Sequence, residues 1–489
     1  MNLLSDKFNW IPVTHQGRFR HISLKDLLCL DEDWQISLNR DDMELAALQL
    51  VICLVQVVFI PQDGKELRRR MERPLTEDEY EKGIAAFQDM FVLDHPEHPF
   101  MQTRGLEAKE ITSMQKLFIG LPEGNNHAFF NETGEVMWTC PSCTAIAIFN
   151  QANNCPSFGG GFKGTLRGAA PITTFAYGKT LRETVWLNIL DDTWIERILP
   201  EPKQRQKKPV WVDLIQKDAT VYSHKIGLLR GLFWQPAHIE INWAVEEKAC
   251  DTCGEISLIQ ASGFGKVKFS YEVKGIWPHP HGPRAWKIEK GERKERFSSF
   301  RSMSPAWIQL NEFLIFHESE DSGQVPAAVI SQFGNTFAQD TLTLIVGGYR
   351  TKQASVLQRR HDLISMAAGW SGKLATVEKF IGLALEFKEL VRKKMYGFGK
   401  NVGVTGLAGK AEELFYQRSE NLIHSRLRKM NWRESAAELS NMYEELKTLC
   451  EAVFKETTAS YQNDPKMIRA LVISRKTLAS GINKLKPTI

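Results

Sequence analysis

The sequence predicts an α+β protein: a large mixed N-terminal domain with irregular β-sheets and loops, and a C-terminal four-helix bundle. Three observations carry this. At 489 residues the chain is longer than one hydrophobic core usually serves, so two domains are the default. Up to about residue 365, short strand-like runs stand among Gly- and Pro-rich loops, with no long βαβ alternation of the kind a doubly wound sheet needs. After Gly369 the texture changes to amphipathic helix. The domains are therefore placed at 1–365 and 366–489.

The first clear element is the apolar run at 46–60, preceded by Asp41 and Asp42, interrupted by Gln49 and Gln56 and ended by Pro61. It is too short to span a bilayer and reads as a buried helix started by the two aspartates. Lys-Phe-Ser-Tyr-Glu-Val-Lys at 268–274 and Thr-Leu-Thr-Leu-Ile-Val at 341–346 read as strands, and 203–209 as a polar, basic connector. In the C-terminal part, Leu374, Val377, Phe380, Ile381, Ala384, Phe387 and Val391 follow three–four spacing. So do Leu414, Phe415, Leu422, Ile423 and Leu427, and then Trp432, Ala436, Leu439, Tyr443, Leu446, Cys450 and Val453. The last helix opens on Asp464-Pro465, a cap followed by proline at the first helical position, and its stripe is Ile468, Leu471, Val472, Leu478, Ile482 and Leu485. Four apolar stripes with charged backs can bury one another.

Composition, 43% hydrophobic and 25% charged, is that of a folded globular protein. The opening Met-Asn-Leu-Leu-Ser-Asp-Lys has no signal-peptide core, so a cytoplasmic, non-membrane protein is expected. Net charge is only +4, but it is unevenly spread. From residue 351 on there are 24 Lys+Arg against 14 Asp+Glu, a local +10, and the remaining 38 against 44 leave −6. A basic C-terminal quarter fits a polyanionic partner, and equally a solvated basic surface.

Four of the eight cysteines form two CxxC pairs, Cys140-Pro-Ser-Cys143 and Cys250-Asp-Thr-Cys253-Gly254. Two such turns supply the four thiolates of a closed, structural zinc site, one ion per chain, and Gly254 suits the tight turn of a knuckle. The alternatives are unpaired thiols or a redox CxxC, though no thioredoxin-like βαβ context accompanies them. Ser157-Phe-Gly-Gly-Gly-Phe-Lys-Gly-Thr-Leu-Arg-Gly168 packs five glycines with Lys163 and Arg167. It fits either a phosphate or groove contact or a plain structural loop, and Thr165 stands where a Walker A loop needs lysine. His279 and His281, flanked by prolines, and the pair His361-Asp362 read as structural. No nucleophile elbow, Rossmann fingerprint or two-metal carboxylate cluster appears, so no catalytic residue is assigned and a non-catalytic role is expected.

Seven stretches stand out: Arg40-Asp-Asp-Met-Glu-Leu-Ala-Ala-Leu48, His98-Pro-Phe-Met-Gln102, Phe158-Gly-Gly-Gly-Phe162, Gly231-Leu-Phe-Trp-Gln-Pro-Ala-His-Ile-Glu240, Trp277-Pro-His-Pro-His281, Gln353-Ala-Ser355 and Arg359-Arg-His-Asp362. Together they resemble the CasA family, the large subunit of the type I-E CRISPR Cascade surveillance complex. The resemblance implies a DNA- and RNA-binding subunit in antiviral defence, present as one copy in a hetero-oligomeric complex with other Cascade subunits and CRISPR RNA. It implies that the N-terminal domain reads the protospacer-adjacent motif (PAM) in double-stranded DNA from the minor groove, starts strand separation, and helps recruit a helicase–nuclease. The family's glycine loop matches Gly159, Gly160 and Gly161, its lysine finger Lys268, and its glutamine wedge Gln353 with Ala354 beside it, on a hairpin beyond Gly347-Gly348-Tyr349. A further loop, docking beside the guide RNA, matches Phe129, Phe130 and Asn131. Phe130 replaces a smaller apolar residue of the family pattern, and Thr351-Lys352 replaces Asn-Asn.

Overall fold

The apolar run becomes the helix Asp41–Val58, with acidic residues in its first turn and burial on every face from Leu45 to Val57. A helix apolar all round has to be enclosed. The glutamines that interrupt it are used: Gln56 Nε2 donates to the Leu190 carbonyl at 3.0 Å and its Oε1 accepts from the Leu190 N–H at 2.7 Å. A second wholly buried helix, Pro141–Asn153, packs against it. The computed structural model describes residues 1–121, 134–199, 207–300, 302, 304–352 and 355–487.

The chain forms two units. The first consists of Met1–Arg301, Phe316–Thr336 and Ile345–Asp362. Its longest sheet element is a bulged antiparallel hairpin, Ala237–Ala249 with Ile256–Lys268, whose turn holds Cys250 and Cys253. The strands Leu342–Lys352 and Ser355–Met366 are neighbours in a three-stranded sheet with Thr173–Ala176, and only residues 353 and 354 separate them. A two-residue connection between adjacent strands is a β-hairpin.

The sequence reading of 268–274 as one strand is corrected. Lys268 ends the long strand Ile256–Lys268, and Tyr271–Lys274 is a separate strand paired in parallel with Ala219–Tyr222. The chain departs from its first sheet at Phe269 and Ser270, so one polar–apolar alternation covers two pairings.

The second unit consists of Ser302–Ile315, Phe337–Leu344 and Leu363–Ile489. Its four long helices are Leu374–Val402, Leu407–Lys429, Ser435–Thr457 and Pro465–Lys484. The first packs against each of the other three, burying Val377, Phe380, Ile381, Ala384, Phe387 and Val391. Asp464 caps the last helix by accepting from Lys466 N–H at 2.9 Å, with Pro465 following as expected. The stripe read for that helix holds only in its second half. Leu478 and Ile482 are buried, whereas Ile468 is 45% and Val472 59% exposed. Helical spacing after Gly369 also gives no sign that 302–315 and 337–344 belong to this unit. No helix among the described residues is long and apolar enough to cross a membrane.

Candidate metal centre and nucleic-acid interface

Cys140 is the N-cap of the helix Pro141–Asn153, and its Sγ accepts from the Cys143 N–H at 3.5 Å. This turn therefore presents both sulfurs at the helix start. The second pair closes the long hairpin: Gly254 N–H donates to the Cys250 carbonyl and Cys250 N–H to the Glu255 carbonyl, both at 2.9 Å. Gly254 sits at φ +79°, a conformation that favours glycine. Backbone fastens the turns together. Asp251 Oδ2 accepts from the N–H groups of Met137 and Trp138 at 2.8 Å, and Thr139 pairs with Ala261.

The four sulfurs lie within 4.8 Å of one another, with Cys140 and Cys253 at 3.7 Å. Sulfurs held tetrahedrally about 2.3 Å from zinc would be about 3.8 Å apart, so the donor set fits such an ion and leaves no position open. Cys140, Cys143 and Cys250 are buried and Cys253 is partly so. Hydrogen bonds from Cys140 and then Cys143 hold the Cys250 thiol down at about 7, and with Cys250 they draw Cys253 lower still. Among the described residues these four form the one cluster of His, Cys, Asp or Glu able to share a metal ion. The arrangement could hold one metal ion with all four positions filled.

The same two elements meet again away from the cysteines. The chain leaves the helix at Asn154 and enters the glycine loop, where Gly159, Gly160 and Gly161 have φ of +79°, +54° and +86°. Gly160 and Gly161 are exposed, as is Lys268 at the far end of the hairpin. A Cβ on Gly161 would stand 3.3 Å from Lys268 Nζ. Two residues 107 positions apart in sequence are thus adjacent, presenting an ammonium group beside bare backbone.

Arg167, in the stretch that fits either a phosphate contact or a structural loop, is 4% exposed and internally bonded. Its guanidinium donates to the Asn153 carbonyl at 3.0 Å, to Asn154 Oδ1 at 2.6 Å and to Thr173 Oγ1 at 3.0 Å. Burial pushes it down to about 9. It ties the glycine-rich segment back to the helix end. His279 and His281 are buried nearby and held well below the ordinary histidine value by burial and by Arg167. They are structural, as expected.

The anchorage of the strands Leu342–Lys352 and Ser355–Met366 escaped the sequence reading. Tyr349 Oη donates to Asp42 Oδ2 at 2.8 Å and accepts from Asn150 Nδ2 at 2.8 Å. Asp42 accepts from Arg40 Nε at 3.0 Å and from Nη2 at 2.7 Å, and Arg359 reaches Asp41 at 3.3 Å and Asp42 at 3.5 Å. Gly348 is needed at φ +148°, where a Cβ would meet the Pro171 carbonyl at 2.8 Å. The signal was present in Arg40-Asp-Asp, Tyr349 and Arg359, but nothing in their spacing joins them. Gln353 and Ala354, and Phe129, Phe130 and Asn131, lie outside the described residues.

Residues 2–453 match the family of CRISPR-associated protein Cse1. The chain is 27% identical over 207 residues to the CRISPR-associated protein CasA/Cse1 of Thermus thermophilus, a stretch covering 38% of this chain and 40% of that relative. Its fold is similar to that of Thermobifida fusca Cse1, with a TM-score of 0.78 at 15% identity, over 100% of this chain and 98% of that one. It is also similar to a chain of a CRISPR RNA-guided surveillance complex, with a TM-score of 0.67 at 13% identity, over 98% and 99%. The match along nearly the whole sequence is conclusive: this chain belongs to the CRISPR-associated Cse1 family.

Proposed function

We propose that this chain is the large, non-catalytic subunit of a type I-E Cascade complex, and that it reads the PAM of target DNA. The reading is carried by the meeting of Lys268 Nζ with the exposed backbone at Gly161. A minor groove offers a degenerate pattern of acceptors, so one ammonium group beside bare backbone accepts several related motifs and rejects others. Gln353, at the connection of the 342–366 hairpin, is the proposed wedge that unstacks the first base step and lets the guide RNA invade, base pairing then reading the sequence. Residues 129–131 are the proposed dock beside the guide, and the basic C-terminal quarter adds attraction independent of sequence. The four cysteines hold a structural zinc. Helicase–nuclease recruitment in the cytoplasm completes the role.

The test uses guide-loaded complex carrying each variant, with fully paired targets and with targets mismatched into a bubble beside the motif. Lys268→Ala should weaken capture of both. Gln353→Ala should slow guide-strand invasion on the paired target and do little on the bubbled one. Equal defects on both targets would remove the wedge. Unchanged discrimination between intact and altered motifs in Lys268→Ala would reduce the subunit to a scaffold.

A further inference from the structure

A cleft of about 570 Å³ lies directly beside the glycine loop. One wall, 163–169, continues the chain from Gly161, and another, 271–273, continues it from Lys268. A third is the end of the strand Glu292–Phe297. We infer that this cleft binds phosphodiester, holding the backbone of the target duplex next to the motif; the inference rests on the DNA-reading role proposed above.

The charges in the cleft support this. The strands Arg284–Glu289 and Glu292–Phe297 carry five cations, and Arg284, Lys287, Arg293 and Lys294 are each in a salt bridge with an acidic residue. Arg296, which lines the cleft and is exposed, forms no salt bridge among the described residues, and neither does exposed Lys163 on the facing wall. Arg167 lines the cleft as well, but its guanidinium is buried and donates to Asn153, Asn154 and Thr173, so it is not part of the free charge. The acidic groups present are Glu295, already engaged by Arg284 and Arg293, and exposed Glu272. The uncommitted charge is therefore mainly positive. Ion-paired cations have little left to offer a phosphate, whereas Lys163 and Arg296 stand outside any salt bridge among the described residues, Arg296 acting on Glu289 only at longer range.

Distance places the cleft on the same ligand. Lys163 is two residues from Gly161 and Tyr271 three from Lys268, a reach of at most about 7–10 Å. One DNA strand advances about 3.4 Å per nucleotide, so the cleft serves phosphates two to three steps from the contacted base pair. These contacts carry position and affinity without sequence.

The experiment measures the affinity of guide-loaded complex for duplexes with intact and altered motifs between 50 and 200 mM salt. Lys163→Ala combined with Arg296→Ala should weaken both duplexes alike and reduce the slope of log K against log salt by about 2. The fourfold salt rise should then cost the variant about tenfold less affinity than it costs the parent. Restoring Arg296 as lysine should return about half of the slope. An unchanged slope would overturn the proposal, as would a change confined to one motif. Lys268→Ala, run in parallel, separates the two readings. If it alters motif preference while the double variant is silent, only the cleft fails; if it too is silent, the DNA-reading role fails. Inorganic phosphate that raises the melting temperature of the parent but not of the double variant would make the cleft a small-anion site instead.

Discussion

The helix Pro141–Asn153 and the long hairpin are joined twice, by opposite materials. At one end four mostly buried cysteine sulfurs lie within 4.8 Å. At the other an exposed glycine loop meets one exposed lysine. From Ala261, paired with Thr139, to Lys268 is seven residues of strand, about 23 Å, while the helix of 13 residues spans about 20 Å. The two elements run comparable distances from the Thr139–Ala261 pairing, and the glycine loop follows the helix at 159–161. The cysteine end can be all fastener because it binds nothing that must leave. The glycine–lysine end is left open.

The largest effect should come from undoing the fastener. Cys143→Ser should abolish tight zinc binding and destabilise the first unit by at least about 3–5 kcal/mol, because a ligand set lost from a closed site removes folding energy. Elemental analysis and thermal melting check this. If the cysteine end sets the register, any folded fraction should also lose motif discrimination. Retained zinc-free stability with intact discrimination would break the link between the ends.

Acid should act on the buried cluster that ties the loop to the helix. His279 and His281 are neutral in the fold because burial and Arg167 hold their values down. Below about pH 6.5 the unfolded chain therefore binds more protons than the folded one, and stability falls as pH drops. The slope approaches about 1.4 kcal/mol per pH unit for each ring. Urea midpoints between pH 7 and 5.5 should flatten in His279→Asn and His281→Gln. An equally steep parent and variant would place the acid sensitivity elsewhere.

Lys268→Ala sharpens the comparison from the open end. The side chain is exposed, so melting should be unchanged while capture of motif-bearing duplex loses about 1–3 kcal/mol. A shifted melting temperature would mean that the lysine also holds the loop.

These two ends were unequally legible in the sequence. CxxC spacing announces its own chemistry, and only the meeting of the pairs across 106 residues needed the fold. The bundle was legible where apolar spacing coincides with burial, and misleading at Ile468 and Val472, where the same spacing faces solvent. Lys268 and Gly161 carried no local signal of their adjacency, since pairing across a sheet leaves no periodicity. For Arg167 the sequence left a phosphate contact and a structural loop equally open, because charge in a glycine-rich stretch suits both. Burial against Asn153 and Asn154 is a tertiary fact that composition does not encode.

The smallest effect is the most discriminating. Gly160 and Gly161 both lie at positive φ, so alanine at either should cost about 1 kcal/mol of stability, and melting should not tell them apart. Their surroundings differ. A Cβ on Gly160 meets nothing within 4 Å, whereas one on Gly161 would sit 3.3 Å from Lys268 Nζ, the mobile tip of a long side chain that yields by moving. Gly160→Ala should therefore weaken DNA capture only by keeping the backbone away from the groove. Gly161→Ala should do that and also displace the ammonium group. A double-mutant cycle with Lys268→Ala separates the two. Gly160→Ala should be additive with it, within about 0.5 kcal/mol, whereas Gly161→Ala should show a coupling of about 0.5–1 kcal/mol, since the lysine it disturbs is already gone. Additivity at both positions would mean that loop and lysine act separately on DNA, and the open end would then be two sites instead of one.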